Sequence, residues 1–192
     1  MKSEQTSLET LERDLRFAID SARRAGRRVL RLRASDAWEG RTLADIGDQA
    51  ADGLLQGLIQ GRYPEDGLLS EETADSPERL EKHRSWIVDP LDGTKEYSQG
   101  REDWAVHVAL TLGGQCAIGA VALPCLDTVL WGLLAPGIAR HGSEGGAGGQ
   151  LAAGTSPGAA APRVVLSRSH TPDWMETFCD TIGAGERLPT GS

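Results

Sequence analysis

The sequence predicts an α+β fold whose N-terminal part is an antiparallel sheet with helices packed against it. The N-terminal third repeats apolar side chains at helical spacing, whereas residues 104–134 alternate apolar and polar and are broken by short turns. A stretch dominated by Gly, Ala, Ser and Pro then runs from 142 to 162, before a fresh apolar run at Arg163. Residues 1–141 therefore read as one domain, 142–162 as a loop or linker, and 163–192 as the start of a second, incomplete α/β domain.

The first helix is expected over 8–33, where Leu8, Leu11, Leu15, Ile19, Ala22 and Val29 form one stripe and Glu12, Asp14, Arg16, Arg23, Arg24 and Arg27 mostly fill the rest. The second is expected over 45–62, burying Ala51, Leu54, Leu55, Leu58 and Ile59 and ending at the turn Tyr63-Pro64-Glu65-Asp66-Gly67. Leu68-Leu69-Ser70 is a short strand that delivers Glu71 and Glu72. Strands are expected over 104–112, 117–123 and 128–134, with a hairpin turn at Gly113-Gly114. Consecutive strands with short connections predict antiparallel pairing. A strand at Arg163-Val164-Val165-Leu166 precedes a short helix over 172–182.

Between the two groups lies Asp89-Pro90-Leu91-Asp92-Gly93-Thr94-Lys95-Glu96-Tyr97, entered from the apolar run Trp86-Ile87-Val88. Asp, Pro and Gly are common turn formers, so the composition alone also suits a structural loop. The surroundings favour chemistry. Pro90 holds Asp89 extended at the strand end, Gly93 permits close backbone approach, and Thr94 can cap a helix or offer a hydroxyl. With Glu71 at the end of its own strand, three carboxylates from two strand ends suit a hard divalent cation, and the N–H groups of the turn suit a phosphate. Neighbours on an extended segment face opposite ways, so Glu72 is expected to be solvated or to stand behind the ligands.

Composition narrows the function. With 192 residues the chain can bury a core, and its net charge of -8 excludes a basic nucleic-acid footprint. Bound metal can still reverse the local sign for an anionic substrate. Cys116, Cys125 and Cys179 share no metal-ligand spacing and read as small buried side chains in a reducing compartment. Glu4, Glu9, Glu12 and Asp14 interrupt any apolar leader, and no stretch approaches the roughly 18 apolar residues of a membrane span. The expectation is a cytoplasmic protein that binds neither membrane nor nucleic acid.

The acidic turn is similar to the Asp-Pro-Leu-Asp-Gly-Thr-Lys-Glu-Phe signature of CysQ-type 3′(2′),5′-bisphosphate nucleotidases, within the inositol monophosphatase-like, lithium-sensitive phosphatases. The resemblance extends to Asp48-Gln49-Ala50-Ala51-Asp52, Ser70-Glu71-Glu72, Asp103-Trp104-Ala105-Val106-His107, Leu166-Ser167-Arg168-Ser169-His170 and Pro189-Thr190-Gly191-Ser192. It implies a layered α-β-α-β-α sugar-phosphatase-like fold and a magnesium-dependent phosphomonoesterase. The implied substrate is 3′-phosphoadenosine 5′-phosphate, or its sulfated analogue, in sulfur assimilation. Two or three Mg2+ ions, replaceable by Mn2+, would be held by Glu71, Asp89, Asp92 and the Leu91 carbonyl. Asp48 would lie near the site as a further acidic ligand or catalytic proton acceptor, and Thr94, paired with a carboxylate, would orient and deprotonate the attacking water. Glu71 would share in catalysis, and the N–H groups of Gly93 and Thr94 would hold the phosphate. Glu71, Leu91 and Asp92 would border the bound substrate, and Ser167, His170 and Ser192 would touch its nucleoside end. The resemblance also admits a homodimer.

Lys95 and Glu96 turn the resemblance from inositol phosphatases toward nucleotide bisphosphatases, although the pair also reads as an exposed first helical turn. Ser167 and His170 lack the third member of a Ser–His nucleophile system and also read as a loop after a strand. His107, inside a strand, reads as a hydrogen-bonded core histidine. Tyr97 replaces the family's usual Phe, and Ser70 its usual Gly. The family takes a last metal-binding aspartate from a C-terminal Trp-Asp segment, which is absent here, so the expectation for this chain alone is weak or no turnover. The competing readings are an inositol or fructose-1,6-bisphosphatase-like phosphatase and an inactive metal-binding fragment.

Overall fold

The structure, a computed structural model, describes residues 7–145, 161–168 and 171–191. The chain divides into two compact units, Met1–Leu151 and Ala152–Ser192. In the first, helix α1 spans Leu8–Ala34, with the Ser7 hydroxyl accepting from the Thr10 N–H at 3.2 Å to cap its start. Its stripe is completed by Ala18 and Ala25, and Gly26 is required mid-helix because a Cβ there would stand 2.5 Å from Pro124 Cγ. Helix α2 spans Gly40–Arg62 and begins five residues before the expected 45. Leu43, Gly47, Ala51, Leu55 and Ile59 fall at four-residue intervals on one buried face, so the apolar stripe itself runs back past residue 45.

Six strands form one sheet in the order β1 (Gly67–Ser70), β2 (Arg84–Asp92), β3 (Ala105–Leu112), β4 (Gln115–Leu123), β5 (Thr128–Ala135) and β6 (Ile138–Gly145). The antiparallel expectation holds from β2 to β6, but β1 and β2 are parallel, so the sheet is mixed. Their connection crosses over through a 3-10 helix at Pro77–Glu81 instead of turning back as a hairpin. Gly113 and Gly114 make the β3–β4 turn with φ of +55° and +78°. Strand β6 occupies the beginning of the stretch expected to be a linker. It is an edge strand of mostly exposed residues, such as Arg140, His141 and Glu144, and therefore carries no apolar alternation.

Trp86, Val88, Val106, Val108, Leu110, Ile118, Ala120, Ala122, Val129 and Leu133 face α1 and α2, closing the core. Beneath it lies a buried polar knot. Asp14, expected on the polar side of α1, is fully buried because it accepts from the Tyr63 hydroxyl at 2.8 Å and pairs with Arg84 at 3.1 Å, and Arg84 also reaches Asp66. No helix among the described residues is long and apolar enough to cross a membrane. Of the cysteines Cys179 is buried as expected; Cys125 is half-buried and Cys116 exposed at the start of β4, which corrects the expectation for those two.

The second unit contains two short parallel strands, β7 (Arg163–Ser167) and β8 (Glu186–Thr190), and a helix, Met175–Thr181. Strand β8 contains Pro189 and two charged residues, which hide it from strand propensity.

Candidate active site

Two features of the sheet gather the acidic residues. Because β1 and β2 are parallel with Ser70 opposite Val88, the residues that follow, Glu71 and Asp89, emerge side by side. The Glu71 N–H bonds the Val88 carbonyl at 3.4 Å. The second feature is a bulge. In a regular strand Asp89 and Asp92, three apart, would project to opposite faces. Here Asp89 pairs with His107 and Asp92 with Ala105, so one extra residue on β2 restores parity. Both carboxylates therefore share the face turned away from the helices. The strand runs through Asp92, whereas the sequence reading ends it near Asp89.

Helix α2 supplies the other acids. Asp48 and Asp52 are one turn apart and both buried. Asp52 accepts from the Ser70 hydroxyl and from Gln56, each at 2.6 Å, and Ser70 Oγ in turn accepts from the Glu72 N–H at 3.3 Å. The hydroxyl that distinguishes Ser70 from glycine thus ties the Glu71–Glu72 turn to α2. Asp48 is pushed up to about 7 by burial first, then by the charges of Glu72, Asp89 and Glu71, against the lowering effect of a hydrogen bond from Thr94. Asp89 also rises to about 7, through burial, the charges of Glu71 and Asp92, and a carboxyl–carboxyl hydrogen bond with Glu71. Glu72 is exposed, and its carboxyl is raised by partial desolvation and then by Glu71, Asp52 and Asp45.

Past the bulge, Gly93 adopts φ +87°, and a Cβ there would stand 3.0 Å from Trp104 Cβ. This left-handed residue starts a single helical turn, α3 (Thr94–Ser98). The Thr94 hydroxyl lies between two acceptors, the Leu91 carbonyl at 2.9 Å and the Asp48 carboxylate. Tyr97 is fully buried, stacks edge-on against Trp104, and donates to the Val29 carbonyl at 3.0 Å, which satisfies the hydroxyl it has in place of Phe. The Arg33 guanidinium sits 5.5 Å from both ring centroids and bonds the Arg101 carbonyl, fastening this segment to α1. Lys95 is exposed but Glu96 is buried, so the pair is not a simple solvated turn.

The structure thus brings together Asp48, Glu71, Asp89, Leu91, Asp92, Gly93 and Thr94. Ser167 closes β7 in the second unit, and His170 and Ser192 lie outside the described residues. His107 corrects its sequence reading: it is not in the core but half-exposed on the acidic face, with Nε2 3.5 Å from Asp92 Oδ2. Val106 and Val108 turn toward the core, and strand alternation already placed His107 on the other side. The donor set fits a hard cation, since its oxygens carry like charges whose repulsion a divalent ion relieves. Among the described residues, no three such side chains are yet drawn around an ion-sized centre.

The chain belongs to the inositol monophosphatase family, which its residues 10–173 match. Enzymes of this family are metal-dependent phosphatases, generally using Mg2+. Over 143 residues the chain is 41% identical to the 3′-phosphoadenosine 5′-phosphate phosphatase of Mycobacterium leprae, covering 65% of this chain and 53% of that protein. The protein of the same name from Mycobacterium bovis is 45% identical over 114 residues, covering 56% and 43%. The crystal structure of CysQ from Bacteroides thetaiotaomicron superposes with a TM-score of 0.70 at 25% identity, over 93% of this chain and 73% of that one. The chain spans about half the length of the curated relatives it matches.

Proposed function

We propose that this chain carries the metal-binding part of a magnesium-dependent phosphomonoesterase that releases the 3′-phosphate of 3′-phosphoadenosine 5′-phosphate. The observation that supports it most is the bulge in β2, which sets Asp89 and Asp92 on one face beside Glu71. The activity for which the mycobacterial relatives are named supplies the substrate. Glu71, Asp89, Asp92 and the Leu91 carbonyl would hold Mg2+, with Mn2+ as a substitute. When bound, such ions lower the pKa of water and neutralise phosphate charge. The Gly93 and Thr94 N–H groups donate to the phosphate oxygens. The Thr94 hydroxyl orients the attacking water, and Asp48, poised near neutrality, takes up its proton through that hydroxyl. Three unpaired cysteines fit a reducing compartment such as the cytoplasm.

The test is Mg2+-dependent phosphate release from the nucleotide, compared with inositol 1-phosphate and fructose 1,6-bisphosphate, by a chain completed with the C-terminal half that its relatives possess. The nucleotide is expected to be preferred, with release lost in chelator and in Glu71→Gln or Asp92→Asn. Faster release from inositol 1-phosphate would replace the substrate assignment, and full activity in either variant would reject the ligand assignment.

A further inference from the structure

We propose that His107 is a positioning residue for Asp92, donating from Nε2 to its carboxylate and so raising the affinity of the acidic face for a divalent cation. The inference rests on the metal-centre reading above. His107 is the β3 residue directly opposite Asp89, and its Nε2 lies 3.5 Å from Asp92 Oδ2, longer than a formed hydrogen bond but close enough to become one with a small side-chain movement. Its ring reaches Asp92 because the bulge returns Asp92 to the face of the sheet that Asp89 and His107 share.

Among the described residues, His107 is the one side chain with a donor against Asp92. The charged neighbours that raise Asp48 and Asp89 are carboxylates, Asp92 among those of Asp89, and such like-charge repulsion favours displacement of Asp92 from the face a cation needs. A donor on the adjacent strand opposes that displacement. The two side chains are 42% and 31% exposed, and a pair so open to solvent contributes little to folding. Its effect is therefore expected in cation affinity and not in stability. Groups that orient a metal ligand from behind typically change affinity by about tenfold or more when removed.

The 192-residue chain is titrated with Mn2+, read by the loss of the free-ion paramagnetic signal, as wild type, His107→Ala and His107→Gln. Loss of the ring is expected to weaken binding about tenfold. Glutamine, which keeps an N–H donor, recovers most of that loss, and the urea midpoint of the metal-free chain stays the same in all three. Wild-type affinity in His107→Ala overturns the proposal, as does equal weakening in both variants or a matching fall in metal-free stability. Absence of Mn2+ binding by the wild-type chain would instead remove the metal-centre reading, and this inference with it.

Discussion

Asp48 and Asp89 are the residues whose state depends most on what binds beside them. Both carboxyls are raised to about 7, burial being the larger cause and neighbouring carboxylates the next. In the unfolded chain a carboxyl titrates near 4, so the folded chain holds these protons more tightly. Their contribution to stability is complete below about pH 4 and is lost as pH rises through about 7. Divalent cations compete with protons for the same oxygens, and binding releases those protons. In chelator, the melting temperature should fall between about pH 5 and about pH 8, and Asp48→Asn should flatten that fall. Added Mg2+ should raise the melting temperature more at the higher pH. An equal rise at both would mean that these carboxyls do not titrate as part of the ion site.

At the level of elements, the turn from β2 into α3 depends on one glycine. Gly93 and Gly100 both have positive φ, at +87° and +74°, but only Gly93 also lies against backbone: a Cβ added there would meet Asp103 O and Trp104 Cα, each at 3.2 Å. Gly100→Ala should therefore cost only the left-handed backbone penalty, about 1 kcal/mol. Gly93→Ala should cost about 1–3 kcal/mol more, because the Trp104 segment must also give way. Urea denaturation of the two variants measures the difference, and equal losses would show that the close approach carries no strain. The sequence makes this glycine visible through the Asp-Gly-Thr pattern. It does not reveal the bulge just before it, because three-residue spacing on a strand implies opposite faces, and parity is set by pairing with β3. The same limit hid the parallel pairing of β1 and β2, which a long crossover decides and no local turn signal announces. Asp89 and Asp92 were thus legible as acids at a strand end, whereas the face they share with His107 was not.

Across the whole molecule, stability is concentrated in the unit Met1–Leu151. Every buried apolar side chain among the described residues lies there except Cys179. The two long helices and the strands β3 to β5 were legible because their apolar faces meet in that core, so burial wrote the periodicity into the sequence. Among the described residues of the unit Ala152–Ser192 there is no comparable stripe: Val165, Trp174, Phe178, Ile182 and Leu188 are exposed. Units of about 40 residues rarely bury enough surface to be stable alone without a disulfide or metal, and Cys179 is unpaired. A chain ending at Leu151 should accordingly unfold in one cooperative transition, with its melting temperature within about 4 °C of the 192-residue chain. Amide exchange in the longer chain should be slowest in α1 and β2 to β5 and fast in β7, β8 and Met175–Thr181. Loss of cooperativity on shortening, or protection in β7 equal to that in β3, would mean that the second unit supplies stability its own burial does not account for.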